Sequence, residues 1–370
     1  MNMNLIRAFG APHRYYQGPD ALSMVGTVAR ELGSRPLLVA DPVVHQLIGP
    51  GVSRAIDSAG LPLSALSAAA EVTRDNVAAL LSTLDMSDGS PDVVLAAGGG
   101  KGIDTGKAVA HALNAKLVVI PTAASNDGPC SRLYVFYDDQ HRLQSVERLS
   151  RNPDTVLVDT SLLVKAPRSM LVSGIGDAIC KLYEGEQAVR AGGLNAFGGR
   201  GTLAAGYLRT ACDETIRRHS ADGLAALDQG APNEAFECLT EALVLLSGLA
   251  FENSGLSIAH SITRGIPLAK GTEKTLHGYH VAYGLLVQWV LEQRAEEFLM
   301  DQLRFYRQVG LATSLRELGA EESGPDVLRA VAEGTMSSPH IANFSRRLTT
   351  EDVVAAISRV ELLAEPRLRQ

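Results

Sequence analysis

The stretch VVLAAGGGKGIDTGKAVAHAL, residues 93–113, constrains the fold more than any other part of the chain. An apolar run ends on three glycines, and a pattern with helical spacing starts at once. A buried strand, a glycine turn and a helix, in that order, form half of a parallel β-α-β unit. The same alternation surrounds it. RPLLVAD (35–41) predicts a buried strand and 43–59 a helix, and LPLSALSAA (61–69) is a second strand region. A helix over 74–86, a strand over 92–100, a helix over 102–114 and a strand over 115–122 follow. Repeated β-then-α units imply a mostly parallel sheet covered by helices. After residues 155–170 the β-rich segments stop and long amphipathic runs take over. The expected architecture is α/β: a Rossmann-like parallel-sheet domain over 1–165, then an all-helical domain over 166–370.

Ligands of open parallel sheets sit beyond the carboxyl ends of the strands. Here those ends are Asp41, Gly98 to Lys101, and Pro121 to Asp127, so three loops gather on one edge. At Gly98 to Gly100 the missing side chains and the free amides of a helix start suit an anion such as a dinucleotide pyrophosphate. The spacing is GGGKxxD rather than GxGxxG, so the ordinary dinucleotide fingerprint is absent. A tight turn without a ligand is the other reading. Asp41 is placed either to accept hydrogen bonds from an adenosine ribose, which favours NAD over NADP, or simply to cap the helix that begins at Pro42.

The formal charge of −7 argues against nucleic acid as a partner, because phosphate backbones attract basic surfaces. No apolar run reaches the roughly 20 residues that cross a bilayer, and the opening MNMNLIRAFGAPHRYYQG has no signal-peptide core. The four cysteines, Cys130, Cys180, Cys212 and Cys238, show no CxxC spacing and read as reduced thiols. A cytoplasmic enzyme with no membrane partner is expected.

Three segments of the helical half set polar residues in apolar surroundings. LVSGIGDAICKLYEGE places Asp177 behind two glycines, FENSGLSIAHSITRG carries His260, and TEKTLHGYHVAYGLLVQWV carries His277 and His280. One carboxylate and two imidazoles from separate helices suit zinc or another divalent metal with one position left open. Structural core histidines are the alternative.

GGGKGIDTGKAVA, PTAASNDGPCSRLYVFY, GIGDA, FENSGLSIAHSITRG and LHGYHVAYGLLVQ occur in this order. Together they resemble the glycerol dehydrogenases of the iron-containing (group III) alcohol dehydrogenase superfamily, which also holds dehydroquinate synthase and glycerol-1-phosphate dehydrogenase. The resemblance implies a dehydroquinate synthase-like fold and metal ligands at Asp177, His260 and His277. It implies NAD contacts at Gly99, Gly100, Lys101, Gly102, Ile103 and Asp104, and at Thr122, Ala123 and Ser125. Further cofactor contacts fall on Ser131, Leu133 and Tyr137, and a substrate-hydroxyl contact on Asp127. The implied reaction is hydride transfer from glycerol, or a similar small polyol or secondary alcohol, to give the ketone. Such proteins form homo-oligomers, up to octamers.

Departures from the pattern bear on metal and substrate. Iron-dependent relatives place a fourth ligand, a histidine, four residues after the aspartate, where this chain has Lys181. A three-ligand Zn2+ site is therefore expected in preference to Fe2+. Lys181 either points into the pocket to attract an anionic substrate, as in 2-hydroxycarboxylate dehydrogenases of the same family, or is a solvated or ion-paired surface residue. Thr263 and Arg264 stand where glycerol dehydrogenases have His-Asn, and His280 replaces their usual lysine. A phosphate-substrate relative would need a cluster of Lys, Arg and Asn, and only Lys181 and Arg264 are in evidence.

Overall fold

Short apolar runs and their glycine or aspartate stops build a six-stranded sheet. The computed structural model describes residues 6–68, 71–87, 89–138 and 143–365. Residues 1–5 of the opening stretch and residue 69 of the second strand region lie outside the described residues. The strands are β1 (Arg14–Gly18), β2 (Pro36–Ala40), β3 (Ser64–Ser67), β4 (Val93–Gly98), β5 (Lys116–Pro121) and β8 (Thr155–Asp159), in the order β1-β8-β5-β4-β2-β3. Every pairing is parallel; in β4 and β5, for example, Val93 lies opposite Lys116 and Gly98 opposite Pro121. All residues of β2, β4 and β8 are buried, which is why these strands read as unbroken apolar runs rather than alternating ones.

From β2 the chain moves outward to β3, then returns on the other side of β2 as β4 and goes on to β5. Strand order therefore reverses between β2 and β4, and ligands of such sheets bind beyond the carboxyl ends of the strands at this point. Asp41 follows one of these strands and Gly99 the other. The helix Gly100–Leu113 lies close on β4 because two of its positions carry no side chain. A Cβ at Gly102 would come within 2.6 Å of the Ala97 carbonyl oxygen, and one at Gly106 within 2.2 Å of the Ala96 Cβ. The helix begins two residues earlier than the sequence spacing suggests, since Gly99 already caps it and accepts from the Ile103 amide.

Two features escaped the sequence reading. β1 is short and only half-buried, without a clear period. The antiparallel hairpin of β6 (Leu133–Tyr137) and β7 (Leu143–Arg148) stands apart from the main sheet. It is tied to the helix Gly100–Leu113: the Val135 amide donates to Asp104 Oδ2 (3.2 Å), and Lys107 Nζ donates to the Leu133 carbonyl (2.7 Å).

The chain divides into two compact units. The sheet unit holds 10–167 and 225–248; the helical unit holds 6–9, 168–224 and 249–365. Where one cut at 165/166 was expected, each unit is discontinuous. Segment 225–248 is fastened to the sheet through Glu237, whose carboxylate accepts from Gln17 Nε2 (2.7 Å) and Thr160 Oγ1 (2.5 Å). Residues 6–9 bridge to the stretch before the helix Leu203–Gln229, with the Arg200 amide donating to the Ile6 carbonyl (2.7 Å). Among the described residues the helical unit has no strand beyond that isolated bridge, and no single helix is long and apolar enough to cross a membrane.

Candidate functional site: a glycine turn and a buried ligand cluster

The sheet unit presents the glycine turn, and each glycine answers to a different neighbour. Gly98 has φ +142°, and a Cβ there would meet the Gly102 Cα at 3.2 Å. A Cβ at Gly100 would meet Asn126 Nδ2 at 3.1 Å. Only at Gly99 is there open space, with nothing within 4 Å. Backbone geometry and packing therefore account for Gly98 and Gly100, and the turn offers a ligand its approach at Gly99. The amides that follow are free helix-start donors.

The neighbouring loops are held by hydrogen bonds from main-chain amides. The Thr122 amide donates to the Gly98 carbonyl (3.0 Å), and Asn126 Oδ1 accepts from the Gly128 amide (2.9 Å). Lys107, which the sequence reading passed over, is fully buried and donates to the Gly128 and Leu133 carbonyls, both at 2.7 Å. Its ammonium staples the 128–133 loop to the helix; a lysine inside an apolar helix face was the available signal. Ile103, Ala123 and Ser131 are buried, and Ser131 Oγ accepts from the Leu133 amide (2.9 Å). Lys101 pairs with Glu71. Burial pushes the Asp104 carboxyl up to about 6, against the opposing influence of Lys107 and the Val135 amide. Burial likewise pushes the Tyr137 phenol up to about 12, with Asp104 and Glu71 adding to it. Asp41 caps its helix: Oδ1 accepts from the Val43 (2.8 Å) and Val44 (3.0 Å) amides. Asp127 precedes the turn Gly128–Cys130, and its carbonyl lies against Gly248, where a Cβ would approach it to 3.0 Å.

In the helical unit the three expected ligands converge. Asp177 lies at the end of the helix Arg168–Ala178, His260 in the short helix Ile258–Ser261 and His277 at the start of the helix His277–Leu291. Glycines again permit the approach: a Cβ at Gly176 would sit 2.3 Å from the Gly278 carbonyl oxygen, and one at Gly278 1.8 Å from that of Ser173. Ligand atoms of the three residues all lie within 4.8 Å of one another. Asp177 is buried, His260 half-buried and His277 exposed, so the cluster is open to a ligand on the His277 side.

Glu184, one of the groups the sequence reading missed, stands behind His260. Its side chain is completely buried, and Oε2 accepts from His260 Nδ1 (2.6 Å) while Oε1 accepts from the His260 amide (2.9 Å). This fixes the ring so that Nε2 faces Asp177 Oδ1, 3.3 Å away. Two ligand atoms about 2.0 Å from a tetrahedral ion are separated by roughly the same distance. One carboxylate oxygen and two imidazole nitrogens, with one ring oriented by a buried carboxylate, fit a divalent ion of the zinc type.

Lys181 is no surface residue. Its side chain is fully buried, with Nζ 2.9 Å from Asp177 Oδ1 and 3.4 Å from His260 Nε2. Burial opposes charge on both carboxylates. Lys181 and the two imidazoles nonetheless hold Asp177 well below the usual carboxylate range, and His260 and Lys181 hold Glu184 at about 2. Cys180 is buried, and its thiol donates to the Asp177 carbonyl (3.0 Å); none of the four cysteines forms a disulfide. His280 is buried and donates from Nε2 to the Thr272 carbonyl (3.1 Å). Thr263 Oγ1 donates to the His260 carbonyl (2.7 Å), and Arg264 turns to the Ser337 carbonyl (3.2 Å).

Residues 16–167 match the iron-containing alcohol dehydrogenase family. The chain is 35% identical to a glycolaldehyde reductase from Halobacterium salinarum, over 88% of each chain. It is 33% identical to a glycerol dehydrogenase from Citrobacter freundii, over 98% of this chain and 99% of that one. The crystal structure of glycerol dehydrogenase from Schizosaccharomyces pombe superposes with a TM-score of 0.93 at 30% identity, covering 98% of this chain and 92% of that chain.

Proposed function

Because the chain belongs to the iron-containing alcohol dehydrogenase family and is a glycerol-dehydrogenase-like alcohol oxidoreductase, we propose that it is an NAD- and zinc-dependent dehydrogenase of small polyols. Glycerol to dihydroxyacetone is the representative reaction. The observation that carries this reading is the meeting of Asp177, His260 and His277 from three helices, with Glu184 orienting His260.

When bound, the zinc ion supplies Lewis acidity that lowers the pKa of an alcohol, and NAD supplies the hydride acceptor. The chain's own residues do the rest. Asp177, His260 and His277 hold the ion, with His277 on the open side. Glu184 keeps the His260 proton on Nδ1, which leaves Nε2 free as a ligand. Gly99 and the amides after it receive the pyrophosphate, Asp41 the ribose, and Thr122, Ala123, Ser125, Ser131, Leu133 and Tyr137 border the rest of the cofactor. Asp127 holds a substrate hydroxyl and so orients the carbon that loses hydride. His280, already committed to a carbonyl, supports its helix rather than relaying a proton. The protein acts in the cytoplasm as a homo-oligomer.

The buried ammonium of Lys181 beside Asp177 favours a second reading, a 2-hydroxycarboxylate dehydrogenase in which that charge meets the substrate carboxylate. Initial rates of NAD reduction with glycerol, 1,2-propanediol, 2-hydroxybutyrate and glycerol-1-phosphate separate the two. Polyols are expected to dominate; activity confined to 2-hydroxybutyrate overturns the polyol assignment.

A further inference from the structure

Lys181 has no place in the ligand set, yet its ammonium lies where a cation would. Nζ is 2.9 Å from Asp177 Oδ1 and 3.4 Å from His260 Nε2, so it reaches the two atoms that would face a metal ion. Those atoms are themselves 3.3 Å apart. An ion about 2.0 Å from both atoms would lie within about 4 Å of the ammonium, and at that separation in a buried site their repulsion is severe. The surroundings make a cation necessary in any case. Asp177 and Glu184 are both buried carboxylates, and a buried carboxylate without a counter-charge is strongly destabilising. Two cationic groups stand against these carboxylates: Lys181, and the His260 ring, which Glu184 and Asp177 raise to about 9 against burial and Lys181. The Phe251 ring, 5.6 Å from Nζ, offers the ammonium an alternative contact.

We infer that Lys181 is a built-in, displaceable counter-cation of the metal site: its ammonium holds Asp177 and His260 in place in the metal-free protein and must withdraw when the ion binds. The inference rests on the ligand set proposed above. Lys181 therefore lowers metal affinity while keeping Asp177 and His260 in position before the ion binds.

The test is a zinc titration of the full chain against a chromophoric chelator, with wild type and Lys181→Gln side by side. The variant is expected to bind zinc tighter by roughly tenfold or more, because a competing charge has gone. Its metal-free form is expected to melt at a lower temperature than metal-free wild type. Equal or weaker zinc binding by Lys181→Gln overturns the role of the lysine and leaves the ligand set standing. Zinc binding by neither protein overturns the ligand set, and this inference with it. A zinc-loaded crystal structure of the wild type tests the same point even if the variant does not fold. Nζ is expected beyond hydrogen-bonding reach of both Asp177 Oδ1 and His260 Nε2; retention of either contact beside the bound ion contradicts the inference.

Discussion

The glycine turn and the ligand cluster reach their geometry by opposite means. At the turn, side chains are missing, and what remains is backbone: an open face at Gly99, with Gly98, Gly102 and Gly106 absorbed by conformation and packing. At the cluster, side chains crowd together, and charge decides the arrangement: two buried carboxylates, one buried ammonium and two imidazoles. The first site should tolerate changes of charge and fail on added volume. The second should tolerate small changes of volume and fail on charge.

The largest effects belong to the cluster. Asp177→Asn, nearly isosteric, is expected to lower zinc affinity by more than roughly 100-fold, because a ligand matters more than the outer-shell partners whose loss costs about 10–100-fold in metal affinity. Glu184→Gln should fall within that smaller range, read as zinc affinity. If Glu184→Gln cost as much as Asp177→Asn, the division between ligand and orienting group would be wrong.

At the turn the contrast is between two glycines. Gly106→Val would force side-chain volume against Ala96 and is expected to cost about 3 kcal/mol of unfolding free energy in urea, the upper end for overpacking. Gly99→Ala should cost no more than about 1 kcal/mol, the loss of a favourable N-cap with nothing in the way of the Cβ, yet weaken NAD binding measured by fluorescence titration. Equal stability losses would refute the assignment of packing to one glycine and ligand approach to the other.

A smaller effect comes from His280, three residues beyond the ligand His277. Burial lowers its pKa to about 4 from an ordinary 6.5. The folded protein then binds fewer protons than the unfolded chain between those values, so the contribution is complete above pH 6.5 and is lost as pH falls through 4. Between pH 7.5 and 5 the wild type should lose about 2 kcal/mol more stability than His280→Gln. Identical pH profiles for the two proteins would show that the ring is not buried as a neutral group.

The same contrast explains what was legible in the sequence. The turn is local: apolar run, glycines and helix are contiguous, so strand, turn and helix could be read directly, with boundaries within two residues. The division of labour among the glycines could not, because it depends on Ala96, Ala97 and Asn126, which only the folded chain brings near. Asp177, His260 and His277 stood out as polar residues among apolar ones, although the resemblance to a known family was needed to join them. Glu184 and Lys107 did not stand out, since a charged residue in a helical sequence ordinarily faces solvent and its burial depends on partners far along the chain. Lys181 was open between pocket and surface for the same reason, and its position against Asp177 closes off the surface alternative. β1 and the β6–β7 hairpin are short and partly exposed, so their period was too brief to separate from loop.

The claim on which everything else depends is that three distant side chains hold one cation. Equilibrium dialysis of the full chain against zinc tests it directly, with wild type beside His277→Ala, the exposed member whose loss least disturbs the core. The wild type should hold about one ion tightly per chain, and the variant should lose it. Undiminished zinc stoichiometry and affinity in His277→Ala would contradict that claim.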